Sequence, residues 1–158
     1  MGKQAMKIGI IIHSNTGNTL LVAEKIKAKL EKIGHQVNIE RVMAANNDEV
    51  DVTKVQLTNI PETKGYDGFV FGAPVYGFML SGVMRSYLAQ MLSLEGKSVY
   101  CYLTQHFRFR FLGGNHSLAQ FENALINKSA LIKGTNIVNW KSKKRLALID
   151  QTVDLINF

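Results

Sequence analysis

Apolar residues recur along the chain in two alternating periods. Short runs of consecutive or alternating apolar residues predict strands, and longer stretches with apolar residues at three- and four-residue steps predict helices. The predicted strands are 8–12, 37–42, 68–72, 97–103 and 136–140, and the predicted helices are 20–33, 81–92, 115–127 and 143–156. The pattern is weakest over 43–64, where a turn at 44–48 and a short helix ended by Pro61 are expected.

The alternation of strands and helices from end to end predicts an α/β protein. Such a chain forms a parallel sheet with helices on both faces, because each crossover helix packs back onto the sheet. The continuous apolar run at 68–72 fits a strand that is covered on both faces. We therefore expect a three-layer α/β/α domain with a five-stranded parallel sheet.

Composition narrows the class of protein further. The chain has 158 residues, of which 46% are hydrophobic, and these values fit a single domain spanning 1–158. Its apolar runs are all shorter than the roughly 18 residues of a membrane span. The one cysteine, Cys101, excludes an internal disulfide framework and a cysteine-based zinc site. A cytoplasmic protein is expected.

The charge of the chain is strongly positive. Nineteen Lys and Arg residues against twelve Asp and Glu residues give a formal net charge of +7. A field of this sign attracts anionic partners, such as phosphates, nucleic acid, an acidic protein or a membrane surface, and it does not select among them.

The first predicted strand is followed by a polar turn and then by a helix. Backbone N–H groups and hydroxyls in such a turn lie at the positive end of the helix, where an anion is stabilised. Ser14, Thr16 and Thr19 can donate hydrogen bonds to a phosphate monoester. The glycine-rich signatures of dinucleotide sites and nucleoside triphosphate loops are absent, since the turn holds only Gly17 and no lysine. The alternative is a turn that only caps the helix.

This turn resembles the [ST]-x-T-G-x-T signature with which flavodoxins hold the phosphate of flavin mononucleotide (FMN). The matching residues are Ser14, Asn15, Thr16, Gly17, Asn18 and Thr19. The resemblance implies a flavodoxin-like strand order of 2-1-3-4-5, with FMN at the switch point between the first and third strands. Flavodoxins are typically acidic, whereas this chain is basic.

A second motif follows the third predicted strand and resembles the G-[AS]-P-x-Y turn of the flavodoxin superfamily. Its residues are Ala73, Pro74, Val75, Tyr76 and Gly77. The resemblance implies contact with the isoalloxazine ring, and Tyr76 is the preferred ring-contacting residue. The alternative for Tyr76 is ordinary packing of a helix onto the sheet.

The segment after the fourth predicted strand carries the remaining site residues that the resemblance implies. Flavodoxin-like proteins use this turn along the flavin ring, which assigns Thr104, Gln105, His106, Phe107, Gly113 and Gly114 to the site. The alternation of aromatic and basic residues here is this chain's own feature. Arg108 and Arg110 could instead face a pyridine nucleotide or an acidic partner, and the phenylalanines could form the inward face of a strand. Nucleic acid is not expected, because it leaves the phosphate turn unexplained.

The function that the resemblance implies is redox chemistry with FMN as cofactor. The first interpretation is electron transfer between a reductant and a redox partner protein. The alternatives are an NAD(P)H-dependent reductase of quinones or small acceptors, completed as a homodimer, and a non-enzymatic flavin-binding regulatory module. No side chain need act as acid or base, because the flavin accepts the electrons. A metal site is not expected, since the four histidines lack ligand spacing.

Overall fold

The structure, a computed structural model, describes residues 4–106 and 113–158. Its twelve elements in the described ranges run in the order β1 (Lys7–Ile12), α1 (Asn18–Lys32), β2 (Gln36–Arg41), β3 (Met43–Ala44), β4 (Leu57–Asn59), β5 (Gly68–Tyr76), β6 (Met79–Leu80), α2 (Gly82–Gln90), β7 (Ser98–Gln105), α3 (Gly114–Asn127), β8 (Leu131–Asn139) and α4 (Arg145–Leu155). The predicted alternation of strands and helices is confirmed.

The main sheet has the order β2-β1-β5-β7-β8, and every pair along this path is parallel. This is the predicted order 2-1-3-4-5. Short β6 adds an antiparallel partner to the end of β5. The chain order reverses direction across the sheet between β1 and β5, so the carboxyl ends of these two strands flank the switch point.

Two hydrophobic cores lie on opposite faces of the sheet. One contains α1 and α4 packed on the sheet, and its centre includes Ile10, Ile26 and Ile149. The other contains α2 and α3, and its centre includes Phe71 and Phe121. Because β1 and β5 sit between the two cores, consecutive residues of both strands are buried, as in β1 from Ile8 to Ile12. The predicted three-layer α/β/α arrangement is confirmed.

Two predicted helix boundaries are confirmed by local hydrogen bonding. Helix α1 ends where Gly34 adopts φ 103°, and His35 N–H donates to the Leu30 carbonyl at 3.1 Å. Helix α2 begins after Ser81, whose Oγ accepts from Met84 N–H at 3.2 Å.

Three strand predictions were too short. β5 continues through Tyr76, so Ala73–Tyr76 is strand rather than turn, and β7 continues through Gln105. β8 begins at Leu131 rather than at residue 136. In each case backbone pairing with a neighbouring strand holds residues that hydropathy alone leaves unassigned, and for Val75 and Tyr76 this partner is the antiparallel β6.

The segment between β2 and β5 also differs from its prediction. The short helix expected within 43–64 is absent, and β3 and β4 pair there as a two-stranded antiparallel ribbon. Asn46 organises this segment, because its side chain donates to the Lys54 carbonyl and accepts from Gln56 N–H. Asn and Asp side chains compete with helical backbone hydrogen bonds in this way.

Within residues 4–106 and 113–158, no helix is both long enough and apolar enough to cross a bilayer.

Candidate functional site

The 14–19 loop, from Ser14 to Thr19, connects β1 to α1 at the carboxyl edge of the sheet. Gly17 is the N-cap residue of α1 and has φ 97°, a left-handed conformation that favours glycine. A Cβ built on Gly17 would meet nothing within 4 Å, so the space above the loop is open. The backbone N–H groups from Asn15 to Thr19 have no hydrogen-bond acceptor within the described ranges.

The hydroxyl groups of the loop differ in their surroundings. Thr16 is exposed and its hydroxyl makes no hydrogen bond with another described residue. Ser14 is buried, and its Oγ accepts from Leu20 N–H at 3.2 Å, which leaves its own hydrogen available to donate. Thr19 is buried and its Oγ1 lies 2.8 Å from Thr104 Oγ1. The loop therefore presents free donors to the open space beside Gly17, and free donors at the amino end of a helix can bind an oxyanion.

Arg41, the last residue of β2, places a guanidinium group beside this loop. Its Nη2 donates to the Ser14 carbonyl at 2.6 Å, and its Nε is buried without an acceptor among the described residues. The sequence analysis did not identify Arg41. The available signal was its position at the end of the strand that pairs with β1, where it lies opposite Ile12.

Residues from the ends of β5 and β7 reach the same edge. Thr104 in β7 contacts Thr19 through their hydroxyls, and Tyr102 donates from its OH to the Thr19 carbonyl at 2.7 Å. Tyr102 is fully buried against Gly72, where an added Cβ would lie 2.3 Å from Tyr102 Cζ. These contacts hold the end of β7 against the start of α1.

Tyr76 ends β5 and is half-buried next to His13, with the two ring centroids 6.1 Å apart in an edge-to-face arrangement. Burial raises the pKa of Tyr76, and the Asn15 side chain partly opposes this shift. The next two residues, Gly77 and Phe78, both have positive φ values and turn the chain into β6. Tyr76 therefore places the end of β5 next to the 14–19 loop.

His13 is buried at the end of β1, and its Nδ1 lies 2.9 Å from Ser81 Oγ. Burial is the main cause that lowers the pKa of His13 to about 4, with Asn47 raising it and Arg41 lowering it further. The Nε2 atom has no hydrogen-bond partner in the described part of the chain. The ring is therefore neutral at pH 7.

The remaining predicted site residues fall into three groups. Ala73, Pro74, Val75 and Gln105 lie in strands at the carboxyl edge, and His106 is exposed just after β7. Gly113 and Gly114 open α3, and Gly113 packs so closely on Phe78 that a Cβ would lie 2.6 Å from Phe78 Cα. Phe107, Arg108 and Arg110 lie outside the described residues.

The same edge carries a polar cluster that the sequence analysis treated only as a turn. Asn15 donates from Nδ2 to Asp48 Oδ1 at 2.6 Å, which ties the 14–19 loop to the segment after β3. Asp48 also acts on the pKa values of His13 and Tyr76. A group of three or more metal-ligating side chains was not found among the described residues.

A separate cavity of about 800 Å³ lies at the amino edge of the sheet. Phe69, Tyr87 and Met91 line it, and the Tyr87 hydroxyl donates to the Pro61 carbonyl at 2.7 Å. Phe69 lies near the start of β5, so the cavity lies at the opposite end of the sheet from the 14–19 loop.

Solved structures with the same architecture were found by comparison of coordinates. A flavodoxin of Streptococcus pneumoniae TIGR4 aligns with TM-score 0.64 and 18% identity over 94% of this chain and 95% of that chain. Flavodoxin 1 of Bacillus cereus aligns with TM-score 0.65 and 16% identity over 94% and 96%. The chain has the flavodoxin-like fold.

A third similar structure is a flavoprotein of Lactobacillus acidophilus NCFM in complex with FMN. It aligns with TM-score 0.62 and 18% identity over 84% of this chain and 93% of that chain. The sequence itself matches no protein-family model and no curated protein. In this flavodoxin-like fold, the 14–19 loop, Tyr76 and Thr104 share the carboxyl edge at the β1/β5 switch point.

Proposed function

We propose that this chain is an FMN-binding redox protein that carries electrons between a reductant and an acceptor. The observation that carries the proposal is the 14–19 loop, whose backbone N–H groups are free among the described residues and lie beside open space at Gly17. A phosphate monoester supplies the oxygens that these donors lack.

The donor set fits the phosphate of FMN. Ser14, Thr16 and Thr19 carry hydroxyls at the loop, and Thr19 can donate outward when Thr104 donates to it. The Arg41 guanidinium adds a positive charge next to the loop, and charge-assisted hydrogen bonds to phosphate are stronger than neutral ones. These residues would hold and orient the cofactor.

The ring would lie between the carboxyl ends of β5 and β7. Tyr76 offers a half-buried aromatic surface, and Pro74 restricts the backbone before the cofactor arrives. The solved flavoprotein with FMN has the same fold, and this likeness supports the choice of cofactor. FMN, when bound, supplies the redox chemistry, and the residues of this chain exclude water and set the position of the ring.

An electron carrier is preferred to a substrate-converting reductase. Beyond the β3–β4 ribbon, the described chain contains only the strands and helices of the basic fold, and no inserted element builds a substrate pocket over the carboxyl edge. The reductase and the non-enzymatic flavin-binding module are separate outcomes of the first experiment.

That experiment mixes the purified protein with FMN, removes free FMN by desalting, and records the visible spectrum before and after anaerobic NADPH. An electron carrier retains a flavin band that dithionite bleaches and NADPH leaves unchanged. Bleaching by NADPH would instead identify a reductase. A retained flavin that passes no electrons to any acceptor protein would favour the non-enzymatic regulatory module. Loss of the flavin band on desalting would reject the proposal.

The phosphate assignment has its own test in Thr16→Ala. Removing one hydrogen bond to a charged group costs about 1.5–3 kcal/mol, so FMN affinity should fall by roughly 10- to 150-fold while riboflavin affinity stays unchanged. Fluorescence titration measures both constants. Thr58→Ala is the matched control, because Thr58 is exposed in β4 and its hydroxyl makes no hydrogen bond with another described residue. Equal losses for FMN and riboflavin would contradict the assignment.

A further inference from the structure

Four positively charged side chains lie between the end of β8 and the first residue of α4. This basic segment consists of Lys141, Lys143, Lys144 and Arg145, and all four side chains are exposed. Arg145 is the first residue of α4 and Lys144 is its N-cap. None of the four has an ion-pair partner within residues 4–106 and 113–158.

The positive charges of the basic segment lie at the amino end of α4, where they are electrostatically unfavourable. The amino end of a helix is already positive, and cations there reduce helix stability. Helix α4 has no acidic residue in its first turn and no side-chain cap to offset this effect. The segment therefore presents positive charge to solvent without an acidic partner among the described residues, although Arg145 also contacts the Trp140 ring and carbonyl. The stability of α4 does not explain these charges.

The basic segment lies beside the candidate cofactor site. Trp140 N–H donates to the Gln105 carbonyl at 2.7 Å, which places the start of the segment next to the end of β7. Lys29, near the end of α1, reaches the carbonyl of Val153 near the end of α4. Helices α1 and α4 therefore run in the same direction on one face, and both amino ends lie at the carboxyl edge.

An apolar side chain accompanies these charges. Leu146 follows the segment directly and is 70% exposed. Protein interfaces combine an apolar contact with surrounding polar and charged groups. One leucine beside four cations fits such an interface, whereas an amphipathic membrane helix needs a whole apolar face.

We propose that the basic segment and Leu146 form the docking surface for an acidic redox protein. This inference rests on the proposed function, because the partner needs to approach the carboxyl edge only if a flavin lies there. Charge complementarity selects an acidic partner and speeds its encounter with a chain of net charge +7. Nucleic acid fits less well, because the Arg145 guanidinium lies 5.3 Å from the ring centroid of the half-buried Trp140 and occupies one face on which a base could stack.

The test uses an acidic plant-type ferredoxin as probe and basic cytochrome c as the opposite-charge control. Ferredoxin should bind at about 20 mM salt and weaken at least about tenfold at about 200 mM, because the Debye length shrinks over this range. Cytochrome c should not bind. Titration calorimetry gives the affinities, and backbone NMR shifts should change at residues 140–147.

A pair of charge-matched variants locates the effect. K141Q/K143Q/K144Q/R145Q should weaken ferredoxin binding at least about tenfold, since the charges that steer and hold the partner are lost. K25Q/K32Q/K64Q/K133Q removes the same charge from exposed lysines elsewhere and should change the affinity less than about twofold. The first variant should also unfold at an equal or higher temperature, because it relieves the amino end of α4.

Several outcomes overturn the docking surface. These are equal effects of the two variants, no binding of ferredoxin, or tighter segment-dependent binding of duplex DNA or anionic vesicles. Titrating ferredoxin into protein prepared with FMN and without FMN distinguishes a failure of the docking surface from a failure of the proposed function. Segment-dependent ferredoxin binding without FMN retention rejects only the flavin assignment, whereas retained FMN without segment dependence rejects only the docking surface.

Discussion

His13 is a buried imidazole directly before the 14–19 loop, and its protonation links pH to stability. Its Nδ1 faces the Ser81 hydroxyl, which already accepts from Met84 N–H and therefore has its own hydrogen to donate. A neutral ring with its proton on Nε2 satisfies this contact. Protonation would add a charge to a site from which water is excluded.

The pH dependence follows from the lowered pKa of His13, from 6.5 to about 4. The unfolded chain binds this proton below pH 6.5, and the folded chain binds it only near pH 4. Stability is therefore fully present above pH 6.5 and falls as the pH drops toward 4, by about 3 kcal/mol in total. Urea unfolding at pH 7, 5.5 and 4.5 measures the loss.

The matched control for this prediction is His13→Gln, which keeps a polar side chain and removes the titration. We expect the variant to lose less stability than the parent chain between pH 7 and pH 4.5. His116→Gln, an exposed position on α3, should leave the parent's slope unchanged. A parent and a His13→Gln variant with the same slope would show that another group carries the acid dependence.

At the scale of secondary structure, Lys29 connects α1 to the end of α4. Its ammonium group donates to the carbonyls of Val153 at 2.7 Å, Asp154 at 3.3 Å and Ile156 at 2.7 Å. These carbonyls lie at the negative end of α4, where a cation is favourable. Desolvation lowers the pKa of Lys29 without removing this attraction.

Lys29→Met should therefore lower the free energy of unfolding by about 1.5–3 kcal/mol, the value of a hydrogen bond to a charged group. The apolar stem is retained, so the loss reports the ammonium contacts. Lys32→Met is the matched control, because Lys32 is exposed on the same last turn of α1. Chemical denaturation measures both variants, and a loss below about 0.5 kcal/mol for Lys29→Met would contradict the capping role.

For the whole molecule, binding of the proposed cofactor should stabilise the folded chain against unfolding. The 14–19 loop depends on contacts from three side chains on two strands, namely Arg41 in β2 and Tyr102 and Thr104 in β7. FMN that binds only the folded chain should raise the free energy of unfolding by about 2.7 kcal/mol at one hundred times its Kd.

Differential scanning calorimetry measures this effect as a rise of about 5–10 °C in Tm for a chain of this size. Riboflavin at the same concentration should give a smaller rise, because it lacks the phosphate that the loop binds. Removing FMN by dialysis should return Tm to its starting value. Equal shifts with the two ligands would mean that the stabilisation comes from the ring alone.

The sequence by itself determined the local elements and their class. The continuous apolar residues in β1 and the helical spacing of apolar residues in α1 reflect burial in the layers of the fold. Because buried positions are mostly apolar, the hydropathy pattern predicts them directly. The motif from Ser14 to Thr19 likewise located the loop, because Gly17 is the residue that permits its left-handed turn.

Only the tertiary structure decided which distant groups meet at the loop. Arg41 reaches the Ser14 carbonyl because β2 pairs with β1, and the basic segment lies nearby because α4 runs parallel to α1. The extension of β5 through Tyr76 and the β3–β4 ribbon also depend on hydrogen bonds between chain segments. Sequence periodicity records which face of an element is buried, whereas these contacts are set by how the elements pack together.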